Sequence, residues 1–136
     1  IRDAVGDENI VTFGMTAKEV MNYEKNGGYS SIELYDKDLR IHTIVNQIMN
    51  GYFGVPSAEF KNIYNHLIEC NDEYFILKDF DSYVKAQEKI DGLYRNKTKW
   101  QEMCITNIAH SGIFSSDNTI LKYSSEIWNA KKINVK

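Results

Sequence analysis

The sequence predicts an α/β protein that is predominantly helical, with about six helices and two short strands. Three observations support this prediction. Apolar residues recur at helical spacing over most of the chain, and residues that favour helix ends flank these stretches. Two short runs, Asn9–Gly14 and Glu73–Lys78, are instead rich in β-branched and aromatic residues, which favours strands.

The first predicted helix follows the first predicted strand almost directly. Thr16 and Glu19 have the spacing of a capping box, in which each side chain accepts a hydrogen bond from the other residue's backbone N–H. The turn Asn26-Gly27-Gly28 predicts the end of this helix. A strand followed within two residues by a capped helix is typical of α/β proteins.

Five further helices are predicted from apolar stripes and from the residues that precede them. Pro56 opens the second of these, and the candidate caps of the last three are Asp79 or Asp81, Asn96, and Ser115 or Ser116. The stripes consist, in chain order, of Ile41, Ile44, Val45, Ile48 and Met49; Phe60, Ile63, Tyr64, Leu67 and Ile68; Phe80, Tyr83, Val84, Gln87, Ile90 and Tyr94; Trp100, Met103, Cys104, Ile108 and Ala109; and Ile120, Tyr123, Ser124, Ile127 and Trp128.

The composition is that of an ordinary globular protein and limits the classes of function. The 136 residues carry a formal charge of −3, with 26% charged and 43% apolar residues. A chain of this length can form one sizeable core. The acidic balance (pI ≈ 5.6) disfavours nucleic-acid binding, and no apolar run approaches the ~20 residues of a membrane span.

The cysteines indicate the cellular compartment of the chain, and its first residues bear on whether it is part of a larger protein. Cys70 and Cys104 form no CxxC pair and are too few for a disulfide framework, so a reducing cytoplasm is expected. No secretory signal is recognised. A start at Ile1, followed by Arg2 and Asp3, suggests that the chain begins within something larger.

Candidate residues for chemistry are few, and each has a structural interpretation. His42, His66 and His110 show no HxxxH spacing, so surface or core-edge positions are favoured over metal ligation. Asp79 and Asp81 are carboxylates that could act as a general acid and a general base. Carboxylates at a predicted helix start, however, more often act as caps and as partners of the helix dipole.

The remaining candidates are serines, glycines and lysines. Ser111, Ser115 and Ser116 lack the GxSxG context of a nucleophile, and Gly27-Gly28 does not extend to GxGxxG. A solvated basic tail contains Lys131, Lys132 and Lys136. The fifteen Tyr and Phe, together with two Trp, fit an extensive packed interior or interface better than an open sugar-binding platform. These residues form no complete active site.

Several stretches of the amino-acid sequence, however, resemble those of a known protein family. The stretch WQEMCITNIAHSGIFSSDNTILKYSSEIW (Trp100–Trp128) resembles the C-terminal end of glycogen and maltodextrin phosphorylases throughout the pattern W-x-x-M-x-I-x-N-I-A-x-S-G-x-F-S-S-D-x-T-I-x-x-Y-x-x-x-I-W. The segments FDSYVKAQEKIDGLYRN, NGYFGVPSAEFKNIYNHL and IRDAVGDENIVTFGMTAKEV are similar to that family as well. The similarity covers about residues 1–128, in order.

The resemblance implies a function for a parent enzyme. Proteins of this family have two Rossmann-like lobes in the glycosyltransferase-B arrangement and use pyridoxal phosphate, bound to a Lys, to convert α-1,4-glucan and phosphate to glucose 1-phosphate. No lysine here has the G-x-G-N-M-K context, so no catalytic, cofactor-binding or metal-binding residue is assigned. Residues 1–14 would hold the last strand region of the cofactor lobe, 15–128 its terminal helices and 129–136 a tail.

Two departures from the family pattern stand out. Asn118 replaces the usual Arg, which removes any salt bridge that the Arg makes, and Asn96-Lys97 replaces an Asp-Pro or Asn-Pro while keeping the cap. The implied partners are the remainder of the phosphorylase chain and, through it, glucan and phosphate. We expect the isolated chain to be inactive, to bind no cofactor and to self-associate. A stand-alone helical interaction module and a regulatory subunit are the alternatives.

Overall fold

A computed structural model describes residues 1–131, and all regular secondary structure in this range is helical. Three shorter helical turns add to the α-helices: π-helical turns at Asn65–Glu69 and Tyr123–Ile127, and a 3-10 turn at Ser111–Phe114. The eight α-helices are α1 (Arg2–Val5), α2 (Ala17–Asn26), α3 (Ser31–Lys37), α4 (Leu39–Met49), α5 (Ser57–Tyr64), α6 (Phe80–Arg95), α7 (Lys97–Ala109) and α8 (Ser116–Lys122).

The predominantly helical prediction is confirmed, and the local signals locate most helix ends. The Thr16–Glu19 capping box is present before α2, with 2.7 Å from the Thr16 N–H to Glu19 Oε2. Asn96 caps α7, and Ser115 caps α8 by accepting from the Asn118 N–H at 3.2 Å. Neither α1 nor α3 is predicted from the sequence, because each is short and lacks an extended apolar stripe.

The prediction of two strands is wrong for the described residues. Asn9–Gly14 is non-helical, but no second strand lies beside it in the described range. Two of its backbone groups, the Asn9 carbonyl and the Gly14 N–H, are bound by side chains instead. Gly14 has φ +88°, which interrupts an extended conformation. Glu73–Lys78 forms turns in which Phe75 has φ +58°. Aromatic and β-branched content was therefore misleading in both segments.

The chain divides into two compact units. The central unit is Thr12–Glu88, and the terminal unit comprises Ile1–Val11 with Lys89–Lys136, of which residues 132–136 lie outside the described part. The central unit has a continuous core. Its buried members are Ile41, Val45, Leu67, Ile68 and Leu77, against which Leu34, Tyr35, Tyr64 and Phe80 pack.

The terminal unit buries far less apolar surface. Among its described residues only Val5 and Met103 are buried hydrophobic side chains. A unit with so small a core gains little free energy from apolar burial.

A charged cluster fixes the start of α4 in the central unit. Asp38 accepts from the Arg40 N–H at 2.9 Å and from the Arg40 guanidinium, which also contacts Asp81 at 2.6 Å. The Arg40 side chain thereby lowers the pKa of Asp38 to about 2. The guanidinium also stands 5.1 Å from the centre of the Phe80 ring.

We predict that this cluster gives the stability a defined pH dependence. The folded-state pKa of Asp38 lies below its ordinary value of 3.8, so its stabilising effect is present above about pH 4 and is lost as the pH falls towards 2. Asp38→Asn, which keeps a cap, should have a lower melting temperature than the unmodified chain at pH 7. Near pH 2 the two melting temperatures should become equal. The exposed Asp36→Asn is the matched control; equal effects of both variants would contradict this account.

Candidate interface

The end of the described chain presents an unusual amount of apolar side chain to solvent. Each of seven large apolar residues between positions 105 and 128 is 57–71% exposed. We call these residues the C-terminal apolar surface: Ile105, Ile108, Phe114, Ile120, Leu121, Ile127 and Trp128. Isolated exposed hydrophobic residues are common, but a concentration of this kind indicates an interaction surface.

An apolar groove lies in the same unit. It has a volume of about 320 Å³ and is lined mainly by Ile10, Val11, Ile90, Trp100 and Met103. Trp100 is also in edge-on contact with Tyr94, with 5.3 Å between ring centroids. The groove shows that part of the terminal unit is concave and largely non-polar.

Asn107 holds the non-helical segment that forms one wall of this groove. Its Nδ2 donates to the backbone O of Asn9 at 2.7 Å and to that of Met103, in its own helix, at 2.9 Å. Asn9 Nδ2 in turn donates to the Val5 carbonyl at 2.8 Å. The bond to the Asn9 carbonyl satisfies a backbone group that a neighbouring strand would otherwise bind.

In the central unit, a polar loop after the first π-helical turn is fixed by side-chain hydrogen bonds. Asn71 accepts from the Ser31 N–H at 2.8 Å and donates to the Tyr29 carbonyl at 3.2 Å. Asp72 is buried and accepts from the Tyr29 hydroxyl and the Leu77 N–H, both at 2.7 Å. Burial, aided by the Asp72 hydrogen bond, raises the pKa of Tyr29, so its hydroxyl remains a donor.

The three histidines do not come together. His42 stacks on Tyr35 with 4.4 Å between ring centroids, while His66 lies exposed in a π-helical turn. The Nδ1 atom of His110 is 2.8 Å from the Thr106 carbonyl. Within residues 1–131, no group of three His, Cys, Asp or Glu side chains is arranged to hold a metal ion.

Asp79 and Asp81 have different partners. Asp79 accepts from the Met15 N–H at 2.9 Å, and Asp81 contacts Arg40. The helix does begin immediately after Asp79, but this carboxylate binds the backbone before α2 rather than the first turn of α6. Neither carboxylate accepts from a backbone N–H in the first turn of α6, so the cap role predicted for Asp79 or Asp81 is wrong, and both carboxylates contact other elements instead.

The other sequence candidates also occupy structural positions. Ser111 donates to the Ile108 carbonyl, Ser115 caps α8 and Ser116 is its first residue. Gly27 and Gly28 have φ of +68° and +89° at the end of α2. Asn118 donates to the Ile113 carbonyl at 2.8 Å, so it stabilises the turn before α8. Of the basic tail, Lys132 and Lys136 lie outside the described residues.

Sequence reasoning missed Asn107 and Asp72, the two residues that organise the non-helical segments. Asn107 lies within the family pattern of Trp100–Trp128, but nothing in that pattern indicates that it binds the distant Asn9 carbonyl. Asp72 has no neighbouring motif and accepts from the distant Tyr29 hydroxyl. The one available signal was the Asn71-Asp72 pair, because Asn and Asp are the residues that most readily adopt the left-handed conformation seen here, with φ of +57° and +44°.

Among the helices of residues 1–131, none combines the length and the apolar character that a membrane span needs.

Comparison with known proteins identifies the class. The model of the carbohydrate phosphorylase family matches residues 1–130, so the chain belongs to this family. It is 50% identical over 131 residues to glycogen phosphorylase of Bacillus subtilis, and 37% identical over 130 residues to the muscle form of Homo sapiens. These alignments cover 96% and 95% of this chain but only 16% and 15% of the relatives. The chain thus spans about a sixth of the length of the phosphorylases it matches.

We predict that Asn107→Ala loosens the wall of the groove. Loss of two hydrogen bonds should cost about 1–2 kcal/mol of unfolding free energy and increase the fast backbone motion of Ile10 and Val11. Urea unfolding and ¹⁵N relaxation measure the two effects. Gln101→Ala, an exposed change on the same helix, is the control. Unchanged relaxation in the Asn107 variant would show that Asn107 does not hold this segment.

Proposed function

We propose that this chain is the C-terminal portion of an α-glucan phosphorylase, an enzyme that releases glucose 1-phosphate from α-1,4-glucan with inorganic phosphate. The family match over residues 1–130 carries this proposal, and the relatives of the chain are named glycogen phosphorylase. Those relatives are about six times as long as the matched segment, which supports a parent protein with further parts. A cytoplasmic location fits the two cysteines, which are both free.

The role of the segment is structural. The C-terminal apolar surface supports this role, because seven exposed large side chains suit packing against another part of the enzyme better than contact with water. In the parent enzyme, Asn9–Gly14 would pair as the last strand of a glycosyltransferase-B cofactor lobe, and α7 and α8 would pack on that lobe. Strands of parallel sheets are stabilised by neighbours on both sides, which this segment lacks here.

Pyridoxal phosphate belongs to the proposed parent enzyme, and the described residues do not fit it. This cofactor needs a lysine amine free to form a Schiff base beside groups that bind its phosphate. Lys37 and Lys78 line one small cavity, but Lys37 Nζ is 2.7 Å from Glu33, and Lys78 Nζ stands 5.5 Å from the centre of the Tyr23 ring.

One observation favours a second candidate, a stand-alone helical interaction or regulatory module. The central unit has five buried core residues of its own, which is compatible with independent folding. The terminal unit lacks such a core, and for this reason we place the module second.

A chimaeric enzyme tests the proposed function. In Bacillus subtilis glycogen phosphorylase, the stretch that matches residues 1–130 is replaced by the present segment. We predict that the chimaera produces glucose 1-phosphate from maltodextrin and phosphate, whereas the enzyme without the stretch and the isolated chain do not. A soluble, folded chimaera without activity would contradict the proposal.

A matched pair of variants tests the structural role within this chimaera. Leu121 and Lys122 are adjacent on α8, and both are exposed. Leu121→Asp should lower the yield of active enzyme by about tenfold or more, since a buried unpaired carboxylate costs several kcal/mol. Lys122→Asp should change it by less than about twofold. Similar yields of the two variants would argue against an interface at this surface.

We also propose that the isolated chain self-associates through the same surface. Its net charge of −3 provides little repulsion between copies. Light scattering after size exclusion should give a mass above 15.8 kDa that increases with concentration, and Leu121→Asp should lower it. A monomer at high concentration that binds no hydrophobic dye would exclude this association.

A further inference from the structure

A buried carboxylate in the central unit has no charged partner among the described residues. Asp72 is 2% exposed, and its Oδ2 accepts hydrogen bonds from the Tyr29 hydroxyl and the Leu77 N–H, both at 2.7 Å. Within residues 1–131, no ion pair involves Asp72 and no group donates to its Oδ1. Buried carboxylates are normally paired, because burial removes the water that otherwise solvates their charge. A buried acceptor in this state favours a cationic ligand that donates a hydrogen bond.

Asp72 lines an open cleft that the proposed structural role does not use. The cleft has a volume of about 660 Å³, which is within the range of small-molecule sites. One side is formed by α2, through Tyr23 and Glu24, and the other by the loop of residues 70–75. We call it the α2 cleft. Because residues 1–131 contain no enclosed side-chain oxygen without a partner, the Oδ1 atom of Asp72 is in contact with the open space of this cleft.

The charges of the lining also favour a cation. Glu24 and Glu73 add two exposed carboxylates to Asp72, and none of the described lining residues is Lys, Arg or His. Lys78, whose Nζ is 5.5 Å from the centre of the Tyr23 ring, is not part of the lining. Three carboxylates attract a positive charge and repel phosphate and other anions. A neutral ligand, in contrast, would leave the charge of Asp72 uncompensated.

Aromatic rings in the lining narrow the ligand to an organic cation. Tyr23 and Tyr29 are half-buried and lean on the buried Phe75, with ring centroids 5.7 and 4.9 Å from it, and Tyr74 is 75% exposed at the rim. Aromatic rings attract alkylated ammonium ions, whereas divalent metal ions require several oxygen ligands. No group of three His, Cys, Asp or Glu side chains within residues 1–131 is arranged to provide such ligands.

The single free oxygen of Asp72 distinguishes between classes of organic cation. A guanidinium is bound best by both oxygens of a carboxylate, but Oδ2 already accepts two hydrogen bonds. An ammonium ion with alkyl groups and one N–H needs only one acceptor. We propose that the α2 cleft binds a small alkylammonium ion, whose N–H donates to Asp72 Oδ1 and whose alkyl groups pack on Tyr23 and Tyr74. This site rests on the lining residues and does not depend on the proposed function.

The test compares three ligands of similar size by ¹H–¹⁵N NMR titration of the 136-residue chain at pH 7 and constant ionic strength. Trimethylammonium has a charge and an N–H, tetramethylammonium has the charge alone, and tert-butanol has a donor without the charge. For trimethylammonium we expect saturable shifts at the amides of Tyr23, Glu24 and residues 71–75, with a dissociation constant on the order of 1 mM. Tetramethylammonium should bind about threefold more weakly, and tert-butanol at least about tenfold more weakly.

Two variants test the role of the carboxylates. Asp72→Asn keeps an oxygen that can accept from Tyr29 and Leu77 but removes the charge, so it should weaken trimethylammonium binding by about tenfold or more. Glu73→Gln is an exposed change that leaves these hydrogen bonds intact, and it should weaken binding by about twofold. The matched control is Glu59→Gln, an exposed change outside the cleft, which should leave the affinity unchanged.

A second pair of variants tests the aromatic contact. Tyr74→Ala should weaken trimethylammonium binding by about threefold, because one ring that attracts the cation is lost. Tyr52→Ala, which removes a similarly exposed ring outside the cleft, should leave the affinity unchanged.

Three results would overturn the proposal. The first is an absence of saturable shifts with trimethylammonium. The second is equal affinity for trimethylammonium and tert-butanol, which would show that the cleft does not recognise the charge. The third is an equal loss of affinity in the cleft variants and in their controls, which would locate the binding elsewhere. Because the Glu73 and Tyr74 variants alter exposed side chains, they decide the matter even where Asp72→Asn fails to fold.

Discussion

Apolar burial in the terminal unit is the constraint on which the interpretation of this chain depends. Val5 and Met103 are its only buried hydrophobic side chains in the described range, while seven larger ones remain mostly exposed. Burial of a large apolar side chain contributes about 1.5–3 kcal/mol, so covering this surface would stabilise the unit by something on the order of 10 kcal/mol. A gain of this size is comparable to the entire stability of a small domain. This balance supports the proposal that the terminal unit packs against another part of a larger enzyme.

The central unit shows the opposite balance between buried and exposed apolar side chains. Ile41 and Val45 on α4 pack with Leu67 and Ile68 of the π-helical turn, which gives this unit a core of its own. A well-supported frame can hold residues in conformations that cost energy locally. Asn71 and Asp72 adopt left-handed backbone angles there, and their side chains bind Ser31, Tyr29 and Leu77.

Local signals predicted the helices well because helix ends are determined by nearby residues. Thr16, Asn96 and Ser115 each cap the helix that their spacing indicated. The strands failed for the converse reason, since a strand is completed by a partner that is distant in sequence or in another part of a protein. Asn9–Gly14 has the composition of a buried strand, yet Asn107 binds its first carbonyl in place of a neighbouring strand. The contact between Tyr29 and Asp72 was equally hidden, because the two residues come from separate segments.

Hydrogen exchange of residues 105–128 tests the central claim most directly, when it is measured in the dilute isolated chain and in the chimaeric phosphorylase. If the C-terminal apolar surface packs against the rest of the enzyme, the amides of α7 and α8 should exchange at least about tenfold more slowly in the chimaera, because local opening would then expose a buried interface. Equal exchange rates in the two proteins would show that this surface stays in contact with water, and would contradict the account of the segment as a packing element.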